Sequence, residues 1–89
     1  MSMVYTEEYL KEKLIKELDA VHVEVRDESD GCGAKFSALV VSDRFEGKPP
    51  LARQRLVHAA LRDELRAVHA FSQRTLTAAQ WRARPAPAP

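Results

Sequence analysis

The segment FSALVVS, residues 36–42, is apolar at both its odd and its even positions. This continuous apolar pattern is typical of a strand with both faces buried, as in the interior of a sheet. FSALVVS therefore predicts a central strand with a neighbouring strand on each side. A fold for this chain has to supply those two neighbours.

Two other segments have the character of strands. VHVEV, residues 21–25, alternates valine with polar residues, and this period of two predicts a half-buried strand that forms an antiparallel hairpin with FSALVVS. HAFSQRTL, residues 69–76, is rich in residues that favour strands. A helical region of a few dozen residues connects it to FSALVVS, as parallel neighbours require. The sequence therefore predicts a mixed sheet of three strands.

The remaining segments have apolar residues at the spacing of α-helices. Thr6 is predicted to cap a first helix that runs to about Asp19. Its predicted apolar side, which covers a core, consists of Leu10, Leu14, Ile15 and Leu18. A second helical region follows the turn DRFEGKPP, and a break inside this region is compatible with its pattern. Its predicted apolar side consists of Leu51, Leu56, Val57, Ala60, Leu61 and Leu65. Thr77 and Gln80 have the spacing of a capping box for a short last helix. The predicted element order is α-β-β-α-(α)-β-α.

Length and composition limit the organisation and the partners of the chain. Eighty-nine residues, 45% of them hydrophobic, are enough for one small domain, predicted over residues 1–84, with a disordered Ala/Pro tail over 85–89. Fourteen basic and thirteen acidic residues nearly cancel, so the net charge favours neither a strong polyanion binder nor an enzyme for acidic substrates. One cysteine, no signal-like segment and no membrane-length apolar run predict a protein of the cytoplasm or nucleus.

The stretch DGCG holds the only cysteine, Cys32, between two of the three glycines. If the second and third strands are parallel neighbours, Cys32 and His69 lie at the same rim of the sheet. Thiolate and imidazole suit zinc or iron–sulfur iron, but two ligands leave a four-ligand site half filled. A partner protein or a second copy of the chain would supply the others. The simpler interpretation is an inert cysteine and a hydrogen-bonded histidine, although the flanking glycines favour an exposed turn.

The second helical region also carries a basic side, which is the basis of an alternative function. Contact with nucleic-acid phosphates, as in a helix-turn-helix element, would use Lys48, Arg53, Arg55, Arg62 and Arg66. Asp63 and Glu64 dilute this basic stripe, so the simpler interpretation is a solvated surface. The sequence has no nucleophile elbow, no glycine-rich phosphate loop and no recognisable pair of catalytic carboxylates, so we do not predict an enzyme.

Five segments, EYLKEKL, HVEV, ALVVS, FEGKPPLARQRLV and HAFSQRTLTAAQW, together resemble the BolA family, and within it the cytosolic and nuclear eukaryotic branch. The resemblance covers about residues 5 to 82. Its most specific parts are the Phe-x-Gly-Lys-Pro turn before the arginine-bearing helix and the His-Ala-Phe strand. It implies an α/β fold similar to a type II KH domain, α-β-β-α-α-β-α, with a three-stranded mixed sheet packed against helices.

The resemblance also implies a function. Proteins of this branch are known as partners of monothiol glutaredoxins, with which they form heterodimers bridged by a glutathione-containing [2Fe-2S] cluster. The family's loop cysteine falls on Cys32 and its histidine before AF falls on His69, so these two would ligate one iron. The glutaredoxin cysteine and the glutathione thiol would ligate the other. The implied role is a non-catalytic adaptor in cluster trafficking or iron sensing, in which the imidazole ligand raises the cluster potential.

The helix-turn-helix-like part of the family maps onto residues 45–57, and bacterial relatives are described as transcription regulators. Nucleic-acid binding by Lys48, Arg53, Arg55 and Arg62 is therefore the alternative function. Two departures from the family weaken it. Gln54 stands where the family often has a histidine between two arginines, and the Gly-x-x-Gly loop of true KH domains is absent. Similarity to the KH fold is thus weak support for RNA binding.

Overall fold

The computed structural model describes residues 5–31 and 33–83, so Cys32 and the predicted tail over 85–89 lie outside the described residues. The elements in chain order are α1 (Glu7–Leu18), β1 (His22–Asp27), β2 (Lys35–Val41), the 3₁₀-helix η1 (Asp43–Phe45), α2 (Pro50–Ala60), the 3₁₀-helix η2 (Glu64–Ala67), β3 (Ala70–Leu76) and α3 (Ala78–Ala83). The sheet has the order β1-β2-β3. β2 pairs antiparallel with β1 and parallel with β3. The predicted central strand and mixed sheet are confirmed.

α1 forms where its caps and apolar spacing predict it. The Thr6 hydroxyl accepts a hydrogen bond from the Tyr9 N–H at 3.1 Å, which satisfies one of the free donors of the first turn. The helix ends at Leu18 and is capped by Asp19, whose φ of 48° places it in the left-handed region. Its buried side chains are Leu10, Leu14 and Leu18, as predicted, whereas Ile15, predicted on the same side, is 38% exposed. These leucines fix α1 against the sheet.

The predicted hairpin of β1 and β2 is present, but its first valine was misassigned. Val23 on β1 is buried against Val40 of β2, with which it is paired in register. Val21, predicted to share that buried face, precedes the strand and is 61% exposed. The Val21 N–H still donates to the Val41 carbonyl at 2.8 Å, so the backbone is held although the side chain is not covered. The strand prediction was therefore one residue too long at this end.

The crossover from β2 to β3 consists of two helices. α2 starts at Pro50 and buries Val57, and a turn then separates it from η2, which is the break that the pattern allowed. Leu51, predicted on the apolar side of this region, is 58% exposed. At about 100° per residue, Leu51 lies about 120° around the helix from Val57. It therefore faces away from the core that Val57 and Leu61 enter.

β3 and α3 are joined by the predicted capping box. The Gln80 N–H donates to the Thr77 hydroxyl at 3.1 Å, and the Thr77 N–H donates to the Gln80 side-chain oxygen at 2.9 Å. α3 lies at one end of the sheet, where Trp81 stacks on His22 of β1 with ring centroids 4.5 Å apart. α1 and α2 contribute to the core on the other face.

The core lies between the sheet and the helices α1 and α2. It comprises Leu10, Leu14, Leu18, Val23, Phe36, Ala38, Val40, Phe45, Val57 and Leu61. On β2 the buried positions Phe36, Ala38 and Val40 alternate with half-buried ones, so one face of the central strand is packed more tightly than the other. In the described part of the chain, no helix has both the length and the apolar character to span a membrane.

Candidate functional site

The parallel pairing of β2 and β3 brings the loop before β2 and the residue before β3 to one rim of the sheet. Lys35 and Ala70 start the two strands and are partners in register. The His69 N–H donates to the Ala34 carbonyl at 2.8 Å, and the Ala70 N–H donates to the same oxygen at 3.2 Å. The predicted juxtaposition of His69 with this loop is therefore confirmed for the described residues.

Gly33 allows the loop to approach His69 closely. A Cβ atom at Gly33 would lie 3.0 Å from the His69 Cβ and 3.4 Å from its Cγ. The Gly33 φ of 137° is also a conformation that residues with a side chain rarely adopt. The sequence indicated Gly33 only as part of an exposed turn. Its second role, as the surface on which His69 lies, depends on a long-range approach that no local pattern reveals.

Local hydrogen bonds hold the loop. Asp30 and Gly33 exchange two backbone hydrogen bonds of 3.3 and 3.2 Å, which hold these two residues together. Ser29 accepts from the Lys35 N–H at 2.9 Å, and the Lys35 ammonium bonds Asp30 at 3.0 Å. Cys32 is covalently joined to Gly33, so the residue that contacts His69 is the one next to the thiol in sequence.

A carboxylate at the base of the same loop is ionised readily. Hydrogen bonds from the Ser29 side chain and backbone N–H lower the pKa of Asp27 below its ordinary value, against a small opposing effect of burial. The Ser29 N–H lies 2.9 Å from the Asp27 carboxylate. The Glu7 carboxylate of α1 in turn accepts from the Asp27 N–H at 2.7 Å. The loop is thus anchored both to β2 and to α1.

The three histidines have different surroundings. The His69 side chain is exposed and makes no hydrogen bond or ion pair with a described residue, so its ring nitrogens are available to a ligand. His22, by contrast, bonds Glu24 at 2.7 Å and stacks on Trp81. His58 has an edge contact with Phe71 at 6.3 Å. Within residues 5–31 and 33–83, no three His, Asp or Glu side chains are grouped as a metal site would require.

The predicted nucleic-acid-binding residues are dispersed. The Arg53 guanidinium donates to the Lys48 carbonyl at 2.8 Å and to Gln80 at 2.9 Å, so it connects the turn before α2 with α3. Arg55 is exposed, and at about 100° per residue it lies about 200° around α2 from Arg53. Arg62 is exposed in the turn after α2. Nucleic-acid binding by these residues stays a sequence-based prediction.

Glu64 was interpreted as a surface residue that dilutes the basic stripe, and this interpretation is wrong. Glu64 is only 2% exposed, and one of its oxygens bonds the Tyr9 hydroxyl at 2.8 Å and the Lys13 ammonium at 2.6 Å. Its other oxygen is buried and has no partner among the described residues. The break after α2 turns Glu64 toward α1, and a charged residue beside arginines gives no sequence signal of that burial.

Burial and hydrogen bonding have opposite effects on the Glu64 carboxylate. Burial raises its pKa, but the hydrogen bonds from Lys13 and Tyr9, a backbone hydrogen bond and the lysine charge together lower it by more. The pKa of Glu64 therefore lies below its ordinary value of 4.5. The hydrogen bond to Glu64 is also the main reason that the pKa values of Lys13 and Tyr9 are raised. Glu64 is ionised at neutral pH and connects η2 to α1.

Comparisons with known proteins agree with this architecture. The family model described as BolA-like protein matches residues 14–80. The human protein named BolA-like protein 2 is 54% identical over 80 residues, which cover 89% of this chain and 93% of that protein. A crystal structure of a bol-like protein from Babesia bovis superposes with a TM-score of 0.86 at 40% identity, covering 93% of this chain and 96% of that one.

A second solved structure supports the same assignment. The solution structure of BolA1 from Mus musculus has a TM-score of 0.78 at 38% identity and covers 100% of this chain and 84% of the mouse chain. The matched range 14–80 includes both Gly33 and His69, together with all three strands of the mixed sheet. Sequence and architecture agree: the chain belongs to the BolA family.

Proposed function

We propose that this protein is an iron–sulfur cluster adaptor that forms a [2Fe-2S]-bridged heterodimer with a monothiol glutaredoxin. Cys32 and His69 would ligate one iron, and the glutaredoxin cysteine with a glutathione thiol would ligate the other. Its role would be cluster trafficking or iron sensing in the cytoplasm or nucleus, without catalysis. Family membership and the similarity to BolA-like protein 2 support this proposal.

The contact between His69 and Gly33 carries the proposal. It places an exposed imidazole, free of hydrogen bonds to described residues, against the residue that follows the only cysteine. An imidazole with a structural role would be expected to bond a neighbouring group, as His22 bonds Glu24. The donor set fits the proposed group, because a thiolate and a neutral imidazole are established ligands of iron in such clusters.

The residues of this chain would hold and orient the two ligands. The backbone bonds from His69 and Ala70 to Ala34 fix the histidine at the rim, and the bonds of Ser29 and Asp30 hold the loop. A bound cluster would supply one-electron chemistry at a potential that the neutral imidazole makes higher than an all-thiolate site would.

Anaerobic reconstitution tests the proposal. The protein is mixed with a monothiol glutaredoxin, glutathione, iron and sulfide, and visible absorption and circular dichroism are recorded for the native chain and for Cys32→Ala and His69→Ala. We expect the native mixture to give a heterodimer with a spectrum distinct from that of glutaredoxin alone. Each substitution should change that spectrum and speed the loss of the cluster, because each removes one protein ligand.

His58→Ala is the matched control, because His58 is also exposed but lies on α2. It should leave the spectrum of the heterodimer unchanged. His69 is exposed, so His69→Ala should change the free energy of unfolding by less than about 0.5 kcal/mol, which separates loss of a ligand from loss of the fold. A native mixture whose spectrum equals that of glutaredoxin alone, or equal effects of His58→Ala and His69→Ala, would contradict the proposal.

A further inference from the structure

The sheet has a second face, opposite the core, that the helices cover only in part. Its side chains form two rows across the three strands, Glu24–Leu39–Arg74 and Arg26–Ser37–Ser72, as the strand register requires. At one end α3 covers this face, where Trp81 stacks on His22 and Val41 is fully buried. Beyond α3 the two rows border a shallow groove of about 310 Å³.

Both arginines of this groove are unpaired. Arg26 and Arg74 are exposed, and neither makes an ion pair or hydrogen bond with another described residue through its guanidinium. The acidic residue of the face, Glu24, is engaged by His22 at 2.7 Å. The remaining cation at this end of the face, Lys35, is engaged by Asp30. The groove therefore presents two free guanidinium groups, which can each bind a carboxylate in a bidentate manner.

The groove also has an apolar centre. Leu39 is half-buried and lies between Glu24 and Arg74, on the central strand. From the strand spacing and rise, the Cα atoms of Arg26 and Arg74 lie about 12 Å apart, on a diagonal that passes between Ser37 and Leu39. Consider an extended peptide that has one acidic residue two positions before an apolar residue and another two positions after it. All three side chains lie on one face of this peptide, and the Cα atoms of the two acidic residues are about 13 Å apart.

We propose that this groove, lined by Arg26, Ser37, Leu39 and Arg74, docks an extended acidic segment of a partner protein. Arg26 and Arg74 each bind a carboxylate, and Leu39 packs against the apolar residue between them. The uncovered face continues to the rim at Lys35 and Ala70, next to His69, so a partner at that rim can reach it. The interaction itself requires no metal and does not depend on the proposed cluster.

A protein segment fits this face better than a nucleic acid does. Nucleic-acid binding depends on many phosphate contacts, whereas the groove offers two free cations with a carboxylate, Glu24, beside them. Base stacking needs aromatic side chains, and none lines the groove. An apolar centre with charged residues around it is instead the usual arrangement of a protein interface.

The test uses the metal-free, isotopically labelled full chain. Its amide spectrum is recorded during titration with the blocked peptide Glu-Ser-Leu-Ser-Glu at low salt. We expect saturable shifts centred on Ser37, Leu39 and Ser72, and a much smaller response to the peptide Gln-Ser-Leu-Ser-Gln. Arg26→Glu with Arg74→Glu should weaken binding about tenfold, since two ion pairs are replaced by repulsion. Added salt should weaken binding as well.

Arg55→Glu with Arg62→Glu is the matched control, because it makes the same change in net charge at two exposed positions outside the groove. It should weaken peptide binding less than about twofold, because neither residue lines the groove and neither can form an ion pair with the docked peptide. Equal weakening by both double variants would overturn the proposal, as would the absence of saturable shifts in the groove. Groove shifts with a single-stranded oligonucleotide but not with the acidic peptide would overturn it in favour of nucleic acid.

Discussion

The absence of a side chain at Gly33 decides how closely His69 approaches the loop before β2. A Cβ atom there would be 3.0 Å from the His69 Cβ, a separation that requires one of the two segments to move. The backbone of His69 is tied to Ala34 through a 2.8 Å hydrogen bond, so its side chain cannot shift without cost. Gly31, two residues away, has no atom within 4 Å of an added Cβ.

This difference gives a prediction for Gly33→Ala. The substitution should lower the free energy of unfolding by about 1–3 kcal/mol, because it combines a steric contact with an unfavourable positive φ. It should also shift the NMR signals of the His69 ring, because the imidazole must move away from the loop. Denaturant unfolding and proton–nitrogen spectra of the imidazole measure the two effects.

Gly31→Ala is the control for this prediction. It adds the same methyl group to the same turn, where there is open space and no positive φ, so stability should be unchanged or slightly increased. If Gly31→Ala destabilised the protein as much as Gly33→Ala, the cause would be the turn in general and not the contact with His69.

Between elements, Glu64 connects η2 to α1. Its carboxylate is buried and bonded to Lys13 and Tyr9, which lie one helical turn apart on α1. Both side-chain hydrogen bonds to this carboxylate join η2 to α1, and η2 ends two residues before His69. The connection between Glu64 and α1 therefore lies only a few residues before the start of β3.

The lowered pKa of Glu64 makes this connection pH-dependent. Because the pKa is lower in the folded state than in the unfolded state, ionised Glu64 stabilises the fold above about pH 4.5, and the stabilisation is lost as the pH falls through the folded-state pKa. Glu64→Gln should lower the free energy of unfolding by about 1–2 kcal/mol at pH 7. The difference from the native chain should shrink steadily below pH 4.5, which thermal unfolding across a pH series would show.

Glu46→Gln provides the comparison, because Glu46 is exposed and its side chain has no partner among the described residues. Its effect at pH 7 should be less than about 0.5 kcal/mol. A Glu64→Gln deficit that stayed constant from pH 7 to pH 3 would show that the carboxylate charge does not stabilise the fold.

The whole molecule depends on one small core between the sheet and two helices. A chain of 89 residues has a free energy of unfolding of about 4–13 kcal/mol, so a single core side chain is a large share of it. Leu14 on α1 is fully buried, whereas its neighbour Ile15 is 38% exposed. The rim that carries His69 has no core of its own and depends on this one.

Leu14→Ala should therefore cost about 2–5 kcal/mol, because it removes buried apolar contacts and leaves a cavity. Ile15→Ala, one position along the same helix, should cost less than about 1 kcal/mol. Chemical denaturation of both variants measures the difference. Similar costs for the two would mean that α1 packs through a different side than the one formed by leucines 10, 14 and 18.

Much of this fold could be predicted from local chemistry. The period of two in β1, the double apolar pattern of FSALVVS and the caps at Thr6 and Thr77 each act over a few residues, so the sequence expresses them directly. The parallel pairing of β2 and β3 followed from the length of the helical connection. That pairing was enough to bring His69 to the rim of the loop that contains Cys32.

Long-range packing decided the rest, because it depends on distances between segments far apart in the chain. The burial of Glu64 against α1, the use of Arg53 to join α2 to α3, and the exposure of Val21 and Leu51 all depend on how the elements are placed. The close approach of Gly33 to His69 also depends on this placement. Local sequence therefore set the elements and their order, whereas the tertiary arrangement set which polar groups are buried, because burial depends on which surfaces meet.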